Sequence, residues 1–251
     1  MDLYFIGAGP GDPELITVKA SNIIKKADII IYAGSLVHKD ILNIGRKDAA
    51  IYDSSSMNLD EVLKVITDEK DTDKIIVRLH TGDLSIYSTI QEQMDFCEEN
   101  GLNYHLIPGV SSYQAAAAAL KQEFTLPGVS QTIILTRISG RTKVPEKESL
   151  DKLAKIGATM AIFLSINRIE DVVDQLKESY VADTPVSIVE KASHKDEQII
   201  NGTLENIAVK VAKAGIKRQA LIIVGDVLRR DYEKSKLYDK HFAHGFRESE
   251  A

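Results

Sequence analysis

A short apolar run, Leu3–Ile6, breaks directly into Gly-Ala-Gly-Pro-Gly-Asp-Pro at residues 7–13. A strand that ends in glycines and leads into a helix is how α/β folds bring backbone close to a ligand. Asp12 stands where a dinucleotide fingerprint has its third glycine, and no Gly-Lys-Ser/Thr follows as in a phosphate loop. Pro10 also lacks the backbone donor that a pyrophosphate needs. The loop therefore predicts a nucleoside-like ligand without phosphates, as in an enzyme that uses S-adenosylmethionine.

Composition narrows the class of protein. The chain has 251 residues and 44% hydrophobic residues, enough for one large or two small domains. Its net charge of −6 argues against a dedicated nucleic-acid-binding protein. A single cysteine, Cys97, excludes an intramolecular disulfide framework and a multi-cysteine zinc site, and we expect no metal. With no run of about 18 apolar residues and no basic leader at the N-terminus, we expect a cytoplasmic protein without a membrane anchor.

The first half of the chain alternates strand-like and helix-like segments. Asp12 and Pro13 are typical of a helix start, and we expect that helix to reach about Lys26. Strands are expected at 3–6, 28–32, 74–79 and 103–107, and further helices at 59–67, 88–99 and 111–120. This β-α-β-α order predicts a mostly parallel sheet covered on both faces.

The second half of the chain has a different order of strands and helices. Expected strands at 185–189 and 197–201 are separated by a short turn, which favours an antiparallel pair. The sequence therefore predicts an α/β protein of two α/β domains, with a mostly parallel N-terminal sheet and a mixed C-terminal sheet. We place the domains at 1–120 and 121–230, with the active-site cleft between them and a flexible tail at 231–251.

Three candidate loops, residues 7–12, 81–88 and 107–112, follow strand ends in the first half. Loops after parallel strands converge at the carboxyl edge of a sheet, so these three can line one pocket. Asp83 is the candidate catalytic residue, because its carboxylate can stabilise a cationic cofactor or bind the cofactor's amino group. Helix capping alone would also account for Asp12, Asp83 and Ser111.

Taken together, these loops resemble the tetrapyrrole (corrin/porphyrin) methylase family. The matching segments are Ile-Gly-Ala-Gly-Pro-Gly-Asp-Pro-Glu-Leu-Ile-Thr at 6–17, Thr-Gly-Asp-x-x-x-Tyr at 81–87 and Ile-Pro-Gly-Val-Ser-Ser at 107–112. The resemblance continues through 202–204 and 220–225 and covers residues 3–229. Segments 32–37 and 135–145 are similar to the branch that methylates carbon 11 of precorrin-4, or of its cobalt complex, in cobalamin biosynthesis.

The resemblance implies a homodimer that binds a small-molecule tetrapyrrole and holds S-adenosylmethionine between its domains, with S-adenosylhomocysteine as product. It implies ten cofactor-binding residues: Pro10, Thr81, Gly82, Asp83, Ile86, Ser111, Ser112, Leu164, Ala192 and Ala220. Leu164 and Ala192 would flank the adenine, where several relatives have Met and Gly. Neither departure removes a backbone hydrogen bond.

Methyl transfer from a sulfonium to an electron-rich ring carbon needs no metal and no activated nucleophile. Catalysis would come from holding sulfur, methyl and acceptor carbon in line, because the effective molarity of well-oriented reactants can reach about 10⁵ M or more. A base must finally accept a proton from the product. The sequence leaves Asp83, Glu190, His80 and water as alternatives.

The acceptor is a polycarboxylate, which cations can pair with bidentately. Arg137, Arg141 and Lys143 fall together in a Gly- and Ser-containing loop after a strand, which suits a substrate flap. His38 is a further candidate for substrate binding. A merely solvated charged loop is the alternative interpretation.

Three other functions compete. A methylase of ribosomal RNA ribose is disfavoured by the excess of acidic residues in the chain and by the few cations in the candidate loops. A methylase of an elongation-factor histidine derivative is disfavoured by the segment Ser-Gly-Arg-Thr at 139–142. A nucleotide- or nicotinamide-binding protein is disfavoured by the absent third glycine and by Tyr32-Ala33, which stands where that fold has an acidic residue.

Overall fold

The computed structural model describes residues 1–34, 36–243 and 245–248, so Ser35 and His244, like 249–251, lie outside the described residues. The chain divides into two compact units. The first comprises 1–116 together with 191–197, and the second comprises 117–190 and the chain from 198 onward. The domain boundaries expected from the sequence, and the flexible tail at 231–251, stay predictions.

The first unit contains a five-stranded sheet. Its strands are β1 (Asp2–Gly7), β2 (Ile29–Tyr32), β3 (Ala50–Asp53), β4 (Ile75–His80) and β5 (Tyr104–Ile107). They lie in the order β3-β2-β4-β1-β5, and every neighbouring pair is parallel. This confirms the mostly parallel sheet predicted for the first half.

Helices cover both faces of this sheet. They are α1 (Val18–Ile24), α2 (Leu59–Thr67) and α3 (Gln91–Glu99). The next helix along the chain, after β5, is α4 (Ser112–Leu120). Ile24 of α1 packs in the cluster on one face, whereas Ile66 of α2 and Cys97 of α3 pack in the cluster on the other. Burial on both sides explains why the central strands are continuous apolar runs rather than alternating ones.

Two local predictions for the first half were wrong. The helix expected from Asp12 to Lys26 is a 3₁₀ turn, Pro13–Leu15, followed by a separate α1. Asp12 does cap that turn by accepting from Glu14 N, but Thr17 then starts α1 as a second cap by accepting from Ala20 N. Strand β3 was missed because it is an exposed edge strand without an apolar run.

The second unit contains a second five-stranded sheet, of order β6-β7-β10-β8-β9. Its strands are β6 (Ile133–Thr136), β7 (Thr159–Ile162), β8 (Pro185–Glu190), β9 (Gln198–Thr203) and β10 (Ala220–Val224). Only β6 and β7 pair in parallel, so the sheet is mixed, as predicted, and β8 with β9 is the expected antiparallel pair.

Helices α5 (Leu150–Ala154), α6 (Ile169–Leu176) and α7 (Ile207–Ala214) pack on the second sheet around one apolar core. Within that core, Leu176 and Ile207 lie against Ile222 of the central strand. Among the helices that the structure describes, none has both the length and the apolar character needed to cross a membrane.

Candidate functional site

The three candidate loops of the first half start side by side. Strands β4, β1 and β5 are neighbours in the sheet, with Gly7 opposite His80 and Ile6 opposite Ile107. Because all three strands run in the same direction, their loops leave the sheet at one carboxyl edge. The structure thus brings together the segments 7–12, 81–88 and 107–112, as the sequence analysis expected.

The glycine loop after β1 (residues 7–12) is joined to the loop after β4 through backbone groups alone. Ala8 N donates to His80 O at 2.7 Å. Gly9 and Gly82 then exchange two hydrogen bonds, Gly9 N to Gly82 O at 3.1 Å and Gly82 N to Gly9 O at 2.7 Å. This short ladder prolongs the sheet beyond the strand ends and fixes the separation of the two loops.

Close approach of backbones explains the glycines at the start of this loop and in the loop after β5. A Cβ on Gly109 would lie 2.2 Å from Gly82 O and 2.6 Å from Gly7 O. A Cβ on Gly7 would in turn lie 2.7 Å from Gly109 N. These distances are far below van der Waals contact, so side chains at these positions would force the loops apart.

Asp83 connects the loop after β4 to the loop after β5. One carboxylate oxygen accepts from Gly109 N at 2.9 Å, and the other accepts from Ser85 N at 2.9 Å and from the Ser85 hydroxyl. Burial raises the pKa of Asp83, but the hydrogen bonds from Ser85, Gly109 and Leu84 lower it more, and the net pKa lies below the usual value. Asp83 is therefore an ionised acceptor that holds two loops, and it is a poor proton acceptor at neutral pH.

The other cofactor candidates of the first half lie on these same loops. Pro10 and Gly82 are buried, and so is Ser111, whose N donates to Gln114 Oε1 at 2.8 Å. Thr81, Ile86 and Ser112 are partly exposed. The carboxyl edge therefore offers small and polar groups, together with the carboxylates of Asp12 and Asp83, and its three loops contain no Lys or Arg.

His80, one of the candidate bases, is the last residue of β4, and its side chain is buried. It is only 6% exposed, and its Nε2 has no hydrogen-bond partner among the described residues. Burial, followed by the charge of Arg78, lowers the pKa of His80 to about 3, against a smaller raising effect of the Ser88 carbonyl. The imidazole of His80 is therefore enclosed and weakly basic, which makes it a poor candidate for the base.

The segment Lys191–Glu197, between β8 and β9, belongs to the first unit and contacts the glycine loop. Ser193 Oγ accepts from Asp12 N at 3.0 Å, and the His194 ring packs directly on Gly11. Ala192, a predicted cofactor contact, is buried in this segment. Sequence alone gave Ser193 and His194 no functional role, because nothing in a short polar segment indicates which distant loop it contacts.

His38, a predicted substrate-binding residue, lies in the loop after β2 and in the first unit. Its Nδ1 accepts from Asp40 N at 3.2 Å, and its ring contacts that of His194 edge to face, with 5.3 Å between centroids. The preceding part of this loop is held by Asp53 at the end of β3, which accepts from Gly34 N at 3.1 Å. The structure therefore places His38 beside the glycine loop. The other predicted substrate-binding residues belong to the second unit.

Leu164 and Ala220, the cofactor candidates of the second unit, lie at one end of its sheet. Antiparallel pairing of Ile162 with Ile222 places Leu164, two residues beyond β7, at the same end of the sheet as Ala220, the first residue of β10. Glu190, the last residue of β8, pairs with Ala220 from the other side. Leu164 is 67% exposed and has φ +53°, a left-handed conformation that costs energy for a leucine and is frequent at binding sites.

The basic loop, residues 137–144 after β6, uses one of its three cations to hold its own shape. Arg137 donates to the carbonyls of Ile138, Thr142 and Lys143 at 3.3, 3.1 and 3.3 Å. The side chains of Arg141 and Lys143 are exposed. The role of all three residues in substrate binding stays a prediction. Part of the hydrogen-bonding capacity of the Arg137 guanidinium is already used on backbone carbonyls.

Comparison with known proteins gives consistent matches along the chain. Residues 2–208 match the family model described as Tetrapyrrole (Corrin/Porphyrin) Methylases. A cobalt-precorrin-4 C(11)-methyltransferase of Methanocaldococcus jannaschii is 54% identical over 249 residues, 98% of this chain and 96% of that protein. A precorrin-4 C(11)-methyltransferase of a Sinorhizobium species is 43% identical over 249 residues, 98% of each chain.

A solved structure agrees with these sequence matches. The X-ray structure of a cobalamin biosynthetic enzyme, cobalt precorrin-4 methyltransferase, superposes with a TM-score of 0.88 at 41% identity, covering 90% of this chain and 95% of that one. The two sheets and the glycine-built carboxyl edge therefore occur in a chain whose relatives match it from end to end. On these grounds the chain belongs to the tetrapyrrole (corrin/porphyrin) methylase family.

Proposed function

We propose that this protein transfers the methyl group of S-adenosylmethionine to carbon 11 of cobalt-precorrin-4 in cobalamin biosynthesis. The observation that carries the proposal is the 54% identity, over 98% of the chain, to a cobalt-precorrin-4 C(11)-methyltransferase. That relative is named for the cobalt complex, which is why we propose cobalt-precorrin-4 rather than metal-free precorrin-4 as the acceptor.

The carboxyl edge of the first sheet has the chemistry that this methyl donor requires. Its loops carry the carboxylates of Asp12 and Asp83 and no Lys or Arg, which suits a cationic ligand and not a dinucleotide. Pro10 has no N–H to offer a phosphate. When bound, S-adenosylmethionine supplies an electrophilic methyl group on a sulfonium whose positive charge disappears on transfer.

The contribution of the chain is to orient the donor and to exclude competing reactions. Gly7, Gly82 and Gly109 fix the spacing of the three loops, and Asp83 holds the second loop to the third. We infer that Thr81, Ile86, Ser111 and Ser112 contact the methionine part from these loops. Leu164 and Ala192 would flank the adenine, and Ala220 would supply a backbone contact.

Loss of a proton from the methylated ring completes the reaction. Asp83 is unsuited to accept it because its pKa is lowered and its lone pairs are engaged, and His80 is enclosed and neutral. Of the candidates that the sequence offered, Glu190 and solvent remain. Arg137, Arg141 and Lys143 would bind the carboxylates of the tetrapyrrole. The homodimer implied by the resemblance also stays a proposal, which light scattering would check.

Two linked experiments test the function. Calorimetric titration with S-adenosylhomocysteine reports donor binding, and anaerobic incubation with S-adenosylmethionine and cobalt-precorrin-4 is followed by mass spectrometry and mapping of the new methyl group. A gain of one methyl at carbon 11 is expected, with metal-free precorrin-4 reacting more slowly in parallel. Binding without methylation would overturn the acceptor, and no binding would overturn the donor.

A further inference from the structure

The segment Lys191–Glu197 forms a tight turn with its own internal supports. His194 N donates to Lys191 O at 2.9 Å, Ser193 N donates to a Glu197 carboxylate oxygen at 2.7 Å, and Lys191 forms an ion pair with Asp196. Lys191 and Ser193 have φ values of +49° and +71°, left-handed conformations that non-glycine residues adopt at a cost. The surrounding contacts therefore impose this turn on residues that do not favour it.

The turn contacts the glycine loop at three consecutive positions. Ser193 Oγ accepts from Asp12 N at 3.0 Å. The His194 ring lies so close to Gly11 that a Cβ there would be 2.1 Å from Cδ2 and 2.2 Å from Nε2 of the ring. The carbonyl of Pro10 also interacts with this ring. These contacts fall on the part of the loop that the backbone ladder through Gly9 and Gly82 does not reach.

His194 is held in its neutral form. Burial and then the nearby His38 lower the pKa of His194. The Pro10 carbonyl and Asp196 raise this pKa by less, and Lys191 adds the smallest lowering effect. Charged and titratable groups around the ring come from three segments: His38 after β2, Asp12 in the glycine loop, and Lys191, Asp196 and Glu197 in the turn itself.

We propose that His194 is a positioning residue that holds the Pro10–Asp12 part of the glycine loop in the shape that binds the methyl donor. The proposal rests on the proposed function, because the donor is what the loop would bind. Protonation of the ring would oppose this contact, since the charge would have to be buried beside His38 and Lys191. Donor affinity should therefore be complete above about pH 6.5 and decline as the pH falls below it.

Four variants test the proposal by calorimetry with S-adenosylhomocysteine between about pH 5.5 and 8. His194→Ala should weaken binding about tenfold or more at pH 7.5. His194→Gln, whose amide reaches the position of Nε2, should restore most of the affinity and remove the decline below about pH 6.5. His38→Gln should make the decline shallower, because it removes a group that lowers the pKa of His194 in the folded loop. Lys195→Ala, exposed in the same turn, is the matched control and should bind like the wild type.

Equal affinity and an equal pH profile for His194→Ala and the wild type would overturn the proposal. Amide hydrogen exchange of the ligand-free protein provides a second readout that does not depend on the donor. Faster exchange at Gly11 and Asp12 in His194→Ala than in Lys195→Ala supports the positioning role, and equal exchange overturns it. If the wild type fails to bind S-adenosylhomocysteine, the proposed function fails, and the exchange result still decides the role of His194 in the loop.

Discussion

The carboxyl edge of the first sheet and the basic loop of the second unit are built in different ways. At the edge, backbone contacts backbone: Gly9 and Gly82 exchange hydrogen bonds, and Gly109 has no space for a methyl group. In the basic loop, side chains set the shape, with Arg137 bonded to three carbonyls and Arg168 bonded to Ser139 O. A site made of backbone tolerates no added atom, whereas a loop made of side chains loses its properties gradually as each one is removed.

The largest effect is expected for Gly109→Ala. Its new Cβ would lie 2.2 Å from Gly82 O, so the loops after β4 and β5 must separate. We expect S-adenosylhomocysteine binding to weaken about 100-fold or more and the free energy of unfolding to fall by about 1–3 kcal/mol, the usual cost of overpacking. Calorimetry and thermal unfolding measure the two effects. Gly245→Ala is the control, because no described residue beyond its chain neighbours lies within 4 Å of a Cβ added there.

Asp83→Ala comes next, because it removes a hydrogen-bond acceptor and leaves the fold of the strands untouched. Gly109 N and Ser85 N would lose their partner, at a cost of about 1–3 kcal/mol. We expect donor binding to weaken about tenfold to 100-fold, with circular dichroism unchanged. Unchanged affinity and turnover would remove Asp83 from the site.

The lowered pKa of the Asp83 carboxylate predicts how donor affinity depends on pH. A lowered pKa means that Asp83 stabilises the loops above its ordinary value and that this stabilisation is lost as the pH falls through the lowered pKa. Between about pH 7 and 9 the ratio of wild-type to Asp83→Asn affinity should therefore be constant. A ratio that changes across this range, measured by titration calorimetry, would contradict an ionised Asp83.

A smaller and graded effect is expected in the basic loop. Arg141→Ala and Lys143→Ala should each raise KM for the tetrapyrrole several-fold while leaving kcat and donor affinity unchanged, because exposed charges contribute little singly. Arg137→Ala should cost more than either, since it also releases three carbonyls. If all three variants behave alike, the internal bonds of Arg137 do not matter for substrate binding.

The smallest effect concerns ionic strength and leaves the chain unchanged. Raising the salt from about 0.05 to 0.5 M screens exposed charges, so KM for the polycarboxylate should rise about threefold to tenfold. The affinity for S-adenosylhomocysteine should change by less than about twofold, because the three candidate loops of the edge contain no Lys or Arg. An equal salt dependence of both would remove the contrast between the two regions.

Much of the fold and the glycine-built edge could be predicted from the sequence. Buried parallel strands are continuous apolar runs, and glycines that leave no room for a side chain give a strict local pattern, as at Gly7 and Gly109. Strand β3 could not be predicted, because an exposed edge strand such as Ala50–Asp53 lacks that run. The helix start after Asp12 was misplaced because Thr17 caps a second helix in competition with the first cap.

The candidate site was harder to predict wherever its contacts are long-range. Nothing near Ser193 in the sequence reveals that its hydroxyl accepts from Asp12 N, 181 residues away. Asp83 was correctly expected beside the other loops, but the sequence did not show that both of its oxygens bind backbone groups. The residue type gives the charge of a side chain, but which groups hydrogen-bond to that charge depends on the whole fold.

The membership of Lys191–Glu197 in the first unit has a consequence for synthesis of the protein. A ribosome that has made residues 1–116 has made all the strands of the first sheet, yet the turn that contacts the glycine loop follows only after β6, β7 and β8. At about 5–20 residues per second, the nascent first unit waits several seconds for this turn. A chain stalled before Lys191 would therefore have every strand of the first sheet but lack the Ser193 hydroxyl and the His194 ring that contact its glycine loop.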